Sequence, residues 1–244
     1  MKAMVLAAGL GTRLRPLTDD RPKALVELGG RALLEITLAR LREAGVGEVV
    51  VNVHHLADLV TEYLNANHNF GMRIEISRED DLLLDTGGGL KKAAWFFLED
   101  GDDKPFLLHN VDVVSAIDLG RMVLAHKENG ALATLAVQRR ESSRYLLFDE
   151  RGELCGRQRR EEQLVRQAPQ RDGLAFCGIH VISTRMLRMM REEGVFSIID
   201  SYLRLAGAGE KIKAFRADEY YWRDLGTAES LRRAEEDLRQ GVAK

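Results

Sequence analysis

The chain has 244 residues, enough for one large α/β domain, or a domain with a small appendage, whose core needs no staples. Hydrophobic residues make up 45% and charged residues 30%, which excludes a disordered or collagen-like chain. With 36 Lys+Arg against 38 Asp+Glu the formal charge is −2, so no overall basic excess marks a nucleic-acid binder, although a local anion site stays open. Cys155 and Cys177 have neither metal-ligand spacing nor a disulfide framework, so a reducing compartment is expected. The apolar start around Ala3–Ala8 is broken by Gly9, Gly11, Arg13 and Arg15, too early for a signal peptide, and no later stretch is long enough for a membrane span. A cytoplasmic location without membrane contact is the expectation.

In chain order, Ala3–Ala7 reads as a buried strand leading into a glycine-rich loop, and residues 32–44 as a helix stopped by Gly45. Strands are predicted at 48–53, 72–76, 106–109 and 131–138, and helices at 57–66, 90–98 and 118–129. This alternation means crossover connections and a mostly parallel sheet flanked by helices. Past Gln138 the rhythm changes: 145–148 and 153–155, divided by Asp149-Glu150-Arg151-Gly152, read as a hairpin. Residues 157–172 lack an apolar face and read as a loop or flap. Strands at 175–182 and 211–215 and helices at 184–193, 197–206 and 228–240 complete the chain, with no internal repeat or separating linker.

The first strand runs into Gly9-Leu10-Gly11-Thr12-Arg13, then Pro16-Leu17-Thr18 and Pro22-Lys23. Glycines after a strand let backbone N–H groups approach an anion, and Arg13, Arg15 and Lys23 add fixed positive charge. A turn whose glycines merely serve the bend accounts for a lone Gly-x-Gly. A dinucleotide-binding loop needs a third glycine where Leu14 stands and an acidic ribose clamp after the second strand, and a Walker A loop needs Gly-Lys-Ser/Thr; none is present. A triphosphate loop with basic residues on a proline-punctuated excursion accounts for the whole stretch. Two carboxylates stand at chemically useful places: Asp112 after the fourth strand, where open α/β sheets bind ligands, and Asp224 just before the last helix. Taken alone, each fits a turn or cap equally well, and Thr227 fits an N-cap.

The stretch from Gly9 to Lys23 resembles the signature of the sugar-1-phosphate nucleotidyltransferases, also called nucleotide-sugar pyrophosphorylases. Leu84-Asp85-Thr86-Gly87-Gly88-Gly89 looks most like the glycine-rich turn of N-acetylmuramate-1-phosphate uridylyltransferases and of some guanylyltransferases acting on mannose 1-phosphate. The resemblance spans nearly the whole chain. It implies a single domain, residues 1–244, with a Rossmann-like, mostly parallel mixed sheet flanked by helices and a small β extension. Residues 1–138 would be the nucleotide-binding half and 139–244 the sugar-phosphate half. The implied partners are a nucleoside triphosphate and a sugar 1-phosphate, with Mg²⁺ as cofactor; a homo-oligomer is left open and nucleic acid is not expected.

Residue by residue, the resemblance assigns Arg13 and Lys23 to catalysis, and Asp112 and Asp224 to the metal. It assigns Leu6, Ala8, Gly9, Gly11, Thr12 and Arg13 to the nucleotide, together with Asp85, Thr86, Gly87, Gly88 and Asn110. Gly178 and Asn110 are implied on the sugar side. Two departures stand out. Val111 occupies a place where the family usually has glycine, with the expectation of crowding, and the Glu-Lys-Pro motif that holds the sugar phosphate is missing. Arg157, Arg159, Arg160, Arg166 and Arg171 are its candidate substitutes, against the plainer reading of a solvated charge run. A catalytically weak homologue that senses a nucleotide sugar is the alternative these departures support. His54, His55, His109, Cys177 and Asp118 read as structural.

Overall fold

Three apolar runs specify the amino-terminal sheet. Lys2–Leu6, Glu48–Val53 and Arg73–Arg78 pair in parallel, Lys2 opposite Glu48 and Glu48 opposite Arg73. Parallel neighbours need long crossovers, and helices Leu33–Glu43 and Ala57–Ala66 lie in the connections. Ala3, Met4, Val5, Val49, Val50 and Val51 are wholly buried, as the unbroken apolar pattern requires. The first helix buries Leu33, Leu34, Leu38 and Leu41 and gives way to Gly45 in the left-handed conformation, φ 79°.

The structure, a computed structural model, describes residues 1–99 and 103–242. It divides into two compact units: Met1–Leu83, Leu108–Ile117 and Tyr220–Lys244 form the first, Leu84–Leu107 and Asp118–Glu219 the second. The boundary expected near Gln138 therefore falls inside the second unit. Within the first, Val113–Ser115 pairs antiparallel with Trp222–Asp224, bringing the carboxy-terminal segment to the parallel strands' unit. Helix Ala228–Arg239 follows, its N-terminus closed by a capping box between Thr227 and Ser230. Thr227 is thus the expected cap, and Asp118 likewise caps Leu119–Asn129 by accepting from Arg121 N–H.

The second unit is organised around Arg171–Ser183, a 13-residue strand. Its later part pairs antiparallel with Ala133–Gln138 and its start with Tyr145–Asp149. The predicted hairpin is present, Tyr145–Asp149 against Leu154–Gln158, its turn held by Asp149 Oδ1 accepting from Arg151 and Glu153 N–H at 3.0 and 2.9 Å. Ile212–Arg216 adds a parallel neighbour to Ala133–Gln138.

The segment expected as a loop over 157–172 is in part strand: Leu154–Gln158 continues through Arg157, Glu162–Leu164 pairs back on it, and Arg171 opens the long strand, with turns and irregular backbone between them. Ladder hydrogen bonds and ion pairs hold it, Arg157 with Asp200 at 2.7 Å, Arg166 with Asp149 at 2.8 Å and Arg171 with Glu162 at 2.5 Å. Such a ribbon has no apolar alternation to detect. The helix expected over 184–193 is only Arg185–Met189. Beyond it, carbonyls of Met189 and Glu192 accept from Arg204 and Lys91, so long side chains take the bonds a helix would have used.

The helix expected from Leu90 begins at Asp85, runs to Lys92, and is followed by a second, Ala94–Leu98. Gly87, Gly88 and Gly89 therefore lie within a helix and are buried. A Cβ on Gly87 would sit 2.4 Å from the Phe196 ring, and one on Gly88 would sit 2.4 Å from the Gly194 carbonyl oxygen. Close packing outweighs the helix cost of glycine here. Gly88→Ala should destabilise the fold by about 1–3 kcal/mol, read as a lower urea midpoint at unchanged m value.

Candidate active site

The loop after the first strand lies in the first unit and is tied to it by short-range bonds. Ala7 N–H donates to Asn52 O at 3.0 Å, the last rung of the parallel ladder before the chain leaves the sheet. Gly11 adopts φ +65°, and its carbonyl accepts from Leu14 N–H and Thr18 Oγ1, both at 2.8 Å. A Cβ at Gly11 would lie 2.9 Å from the Thr18 methyl and 3.3 Å from Lys23 Cβ. Backbone conformation and space both demand glycine there. Gly9 has nothing within 4 Å of its missing Cβ and leaves the loop open on that side. Thr12–Leu14 is a single 3₁₀ turn anchored by fully buried Leu14. The long helix that follows a dinucleotide-binding loop is not formed.

Four predicted residues meet in this unit. Asp112 and Lys23 form an ion pair with both side chains mostly buried. Asp112 O accepts from Leu225 N–H at 2.7 Å, so the short ladder that aligns Asp224 with Val113 brings the two aspartates to one place. Gly226 N–H donates to Asp224 Oδ1 at 2.8 Å. The missing Cβ of Gly226 would lie 2.5 Å from Arg13 Nη2 and 2.6 Å from Asp224 Oδ1, so the Arg13 guanidinium and the Asp224 carboxylate close over this glycine. Burial raises the Asp224 pKa and the Asp112 charge raises it further; the Gly226 N–H, Lys23 and Arg13 oppose the rise. Among the described residues no group of three or more His, Cys, Asp or Glu could hold a metal ion.

Asn110 ends its strand beside this pair, and its Oδ1 is buried without a partner. His109 is fully buried, donates through Nδ1 to Asn110 O at 2.8 Å, and is held neutral by burial, its pKa lowered to about 4. The Val111 side chain is buried, and its N–H donates to Leu6 O at 3.1 Å with no left-handed backbone that would call for glycine. Ala8 is buried, whereas Thr12 is exposed. His54 bonds through Nδ1 to Glu79 O, and the Cys177 thiol is pushed up to about 12 by burial; both are packing residues, as expected.

The remaining predicted residues belong to the second unit. Asp85 has φ +59°, and Thr86 Oγ1 accepts from Ile198 N–H at 3.0 Å. Gly178 has φ +74° within the register shift between Phe176 and His180. Of the five arginines proposed to replace the missing lysine, Arg157, Arg166 and Arg171 are committed to ion pairs. Gly226 was not among the predicted site residues; only the folded chain shows that the space of its missing Cβ is shared by Arg13 and Asp224.

The chain belongs to the nucleotidyl transferase family, whose model matches residues 2–241. It is 36% identical over 242 residues to an N-acetylmuramate alpha-1-phosphate uridylyltransferase of Caulobacter vibrioides, covering 97% of this chain and 96% of that protein. It is 36% identical over 147 residues to a probable mannose-1-phosphate guanylyltransferase of Oryza sativa, covering 59% of this chain and 40% of that protein. The fold matches that of HddC from Yersinia pseudotuberculosis, solved with GMP-PN, at a TM-score of 0.74 and 20% identity, covering 97% of this chain and 99% of that one. The mixed sheet with flanking helices is therefore that of this family.

Two outcomes follow from the geometry. Because its pKa is raised in the folded state, Asp224 costs stability once pH climbs above the ordinary carboxylate range and through the raised value. Asp224→Asn should therefore melt above the wild type at pH 7.5, by a margin that disappears in acid where both side chains are neutral. Gly226→Ala should lower turnover by about 10²-fold, because the added Cβ displaces both the Arg13 guanidinium and the Asp224 carboxylate, measured as pyrophosphate release from a variant that still unfolds cooperatively.

Proposed function

We propose that the protein transfers a nucleotidyl group from a nucleoside triphosphate to a sugar 1-phosphate and releases pyrophosphate. UTP with N-acetylmuramate 1-phosphate is the favoured pair, because the relative so named matches this chain end to end; GTP with mannose or heptose 1-phosphate is next. The single observation that carries the reading is the meeting of Arg13, Lys23, Asp112 and Asp224 in one unit.

An oxygen of the sugar phosphate bonds to the α-phosphorus as the bridge to the β-phosphorus breaks, and pyrophosphate leaves with the bonding electrons. That nucleophile is already an anion, so no side chain need act as general base. The chain's part is alignment and charge. Lys23 offers a compact ammonium and Arg13 a forked guanidinium to the phosphates, and the Gly9–Gly11 loop offers backbone N–H groups. The two carboxylates fit a divalent cation: burial and then the Asp112 charge raise Asp224, and the Lys23 ammonium is a positive charge already seated on Asp112. Asp112 and Asp224 would hold Mg²⁺, which takes one or two carboxylates with water and phosphate oxygens and neutralises the triphosphate. The cytoplasm, where such substrates are made, is the compartment this reading implies; among the described residues no helix is long and apolar enough to cross a membrane.

Asp112→Ala and Asp224→Ala should each cut pyrophosphate release from UTP and N-acetylmuramate 1-phosphate by roughly 10³-fold while unfolding stays cooperative. Undiminished activity in both variants removes the metal assignment. Tight binding of UTP by the wild type, with no turnover on any sugar 1-phosphate in MgCl₂, turns the reading to a nucleotide-sugar sensor.

A further inference from the structure

Thr18 is 3% exposed between exposed Leu17 and Asp19, in a loop that turns most of its residues to solvent. Threonine hydroxyls in turns usually bond backbone groups close by in the chain. Thr18 Oγ1 instead reaches back seven residues and donates to Gly11 O at 2.8 Å. Leu14 N–H donates to the same oxygen, also at 2.8 Å. Two donors occupy the two lone pairs of that carbonyl, so the Gly11–Thr12 peptide plane is held from its carbonyl side.

In a trans peptide the N–H points opposite to the C=O, and Gly11–Thr12 is trans. With its carbonyl turned in towards Thr18 and Leu14, this unit turns the Thr12 N–H out, at an exposed residue. Among the described residues the N–H groups of Gly9, Leu10, Gly11, Thr12 and Arg13 have no hydrogen-bond partner, so the Thr12 group joins a run of free donors. Gly11, at φ +65°, is also where the plane is easiest to turn over, because glycine crosses between backbone regions at little cost. The Leu14 bond is one tether on that plane and the Thr18 hydroxyl is a second. The Thr18 methyl lies 2.9 Å from where a Gly11 Cβ would stand, with Lys23 Cβ at 3.3 Å, so the threonine packs on the glycine as well as bonding it.

We propose that Thr18 is a positioning residue of this loop: its hydroxyl holds the Gly11–Thr12 peptide so that the Thr12 N–H faces the phosphates of the nucleotide. The inference rests on the transferase reading for the identity of that anion. Thr18 touches no phosphate itself and acts through one peptide plane. The two halves of its side chain separate this role from plain packing. Thr18→Val keeps the shape and the methyl but loses the donor, and Gly11 O still has Leu14 N–H, so no buried acceptor is orphaned. Thr18→Ser keeps the donor and loses the methyl. A positioning hydroxyl makes valine the worse replacement, whereas a packing methyl makes serine the worse one.

The test is titration calorimetry of the full chain with inorganic tripolyphosphate in MgCl₂, a probe that carries the phosphates without base or sugar. Thr18→Val should weaken binding about tenfold, the size of one hydrogen bond to a charged group, and Thr18→Ser should stay within about twofold of the wild type. The Thr12 amide, followed by nitrogen–proton correlation spectroscopy, should move on tripolyphosphate addition in the wild type and in Thr18→Ser, and stay near its free position in Thr18→Val. Should Thr18→Val fail to fold, the wild-type Thr12 resonance decides the matter, and one that does not move overturns the proposal. So do equal affinities of the two variants, a serine variant weaker than the valine one, or a wild type that does not bind the probe. Loss of binding in Thr18→Val alone, without pyrophosphate release by the wild type from any nucleoside triphosphate and sugar 1-phosphate, would retain the role of Thr18 and sink the transferase reading. Turnover that is equal in both variants would do the reverse.

Discussion

Two carboxylates that repel each other, and the cations that make their nearness tolerable, are the constraint around which the first unit is arranged. Asp112 and Asp224 stand 112 positions apart in the chain and are joined by a ladder of three residues per strand. Lys23 neutralises one and Arg13 lies against the other. Burial first, and then the Asp112 charge, still raise the Asp224 pKa against these cations. A purely structural site would replace one acid by an amide and be more stable for it; retaining both leaves a place for a further positive charge.

Absent side chains shape this site as much as present ones. Gly226 leaves the space that the Arg13 guanidinium and the Asp224 carboxylate share, and Gly11 lets the loop fold back over Thr18 and Lys23. Gly87 and Gly88 use the same property for helix packing against residues 194–198. The same residue type thus makes room for charged side chains and a folded-back loop in one unit and for helix packing in the other. Only the neighbours of the missing Cβ tell the two uses apart.

Much of this was legible from residues alone. The buried strands near the amino terminus announced themselves as unbroken apolar runs, the hairpin around Asp149–Gly152 by its turn residues, and the last helix by Thr227. The polar ribbon through Arg157, Glu162 and Arg171 did not, because ladder bonds and ion pairs leave no hydrophobic period. The short helix ending at Met189 was overestimated, since nothing local reveals that Arg204 and Lys91 will capture the following carbonyls.

Residue types and spacing alone determined the α/β class, the glycine-rich, basic loop from Gly9 to Lys23 and the candidacy of the two aspartates. Those are properties of short segments: apolar period, glycine placement, and charge after a strand. Tertiary structure decided which candidates meet. The Val113–Ser115 and Trp222–Asp224 ladder set Asp224 beside Asp112 and put Gly226 under Arg13. Electrostatic coupling depends on distance through space and on burial, and neither quantity exists until the chain has folded.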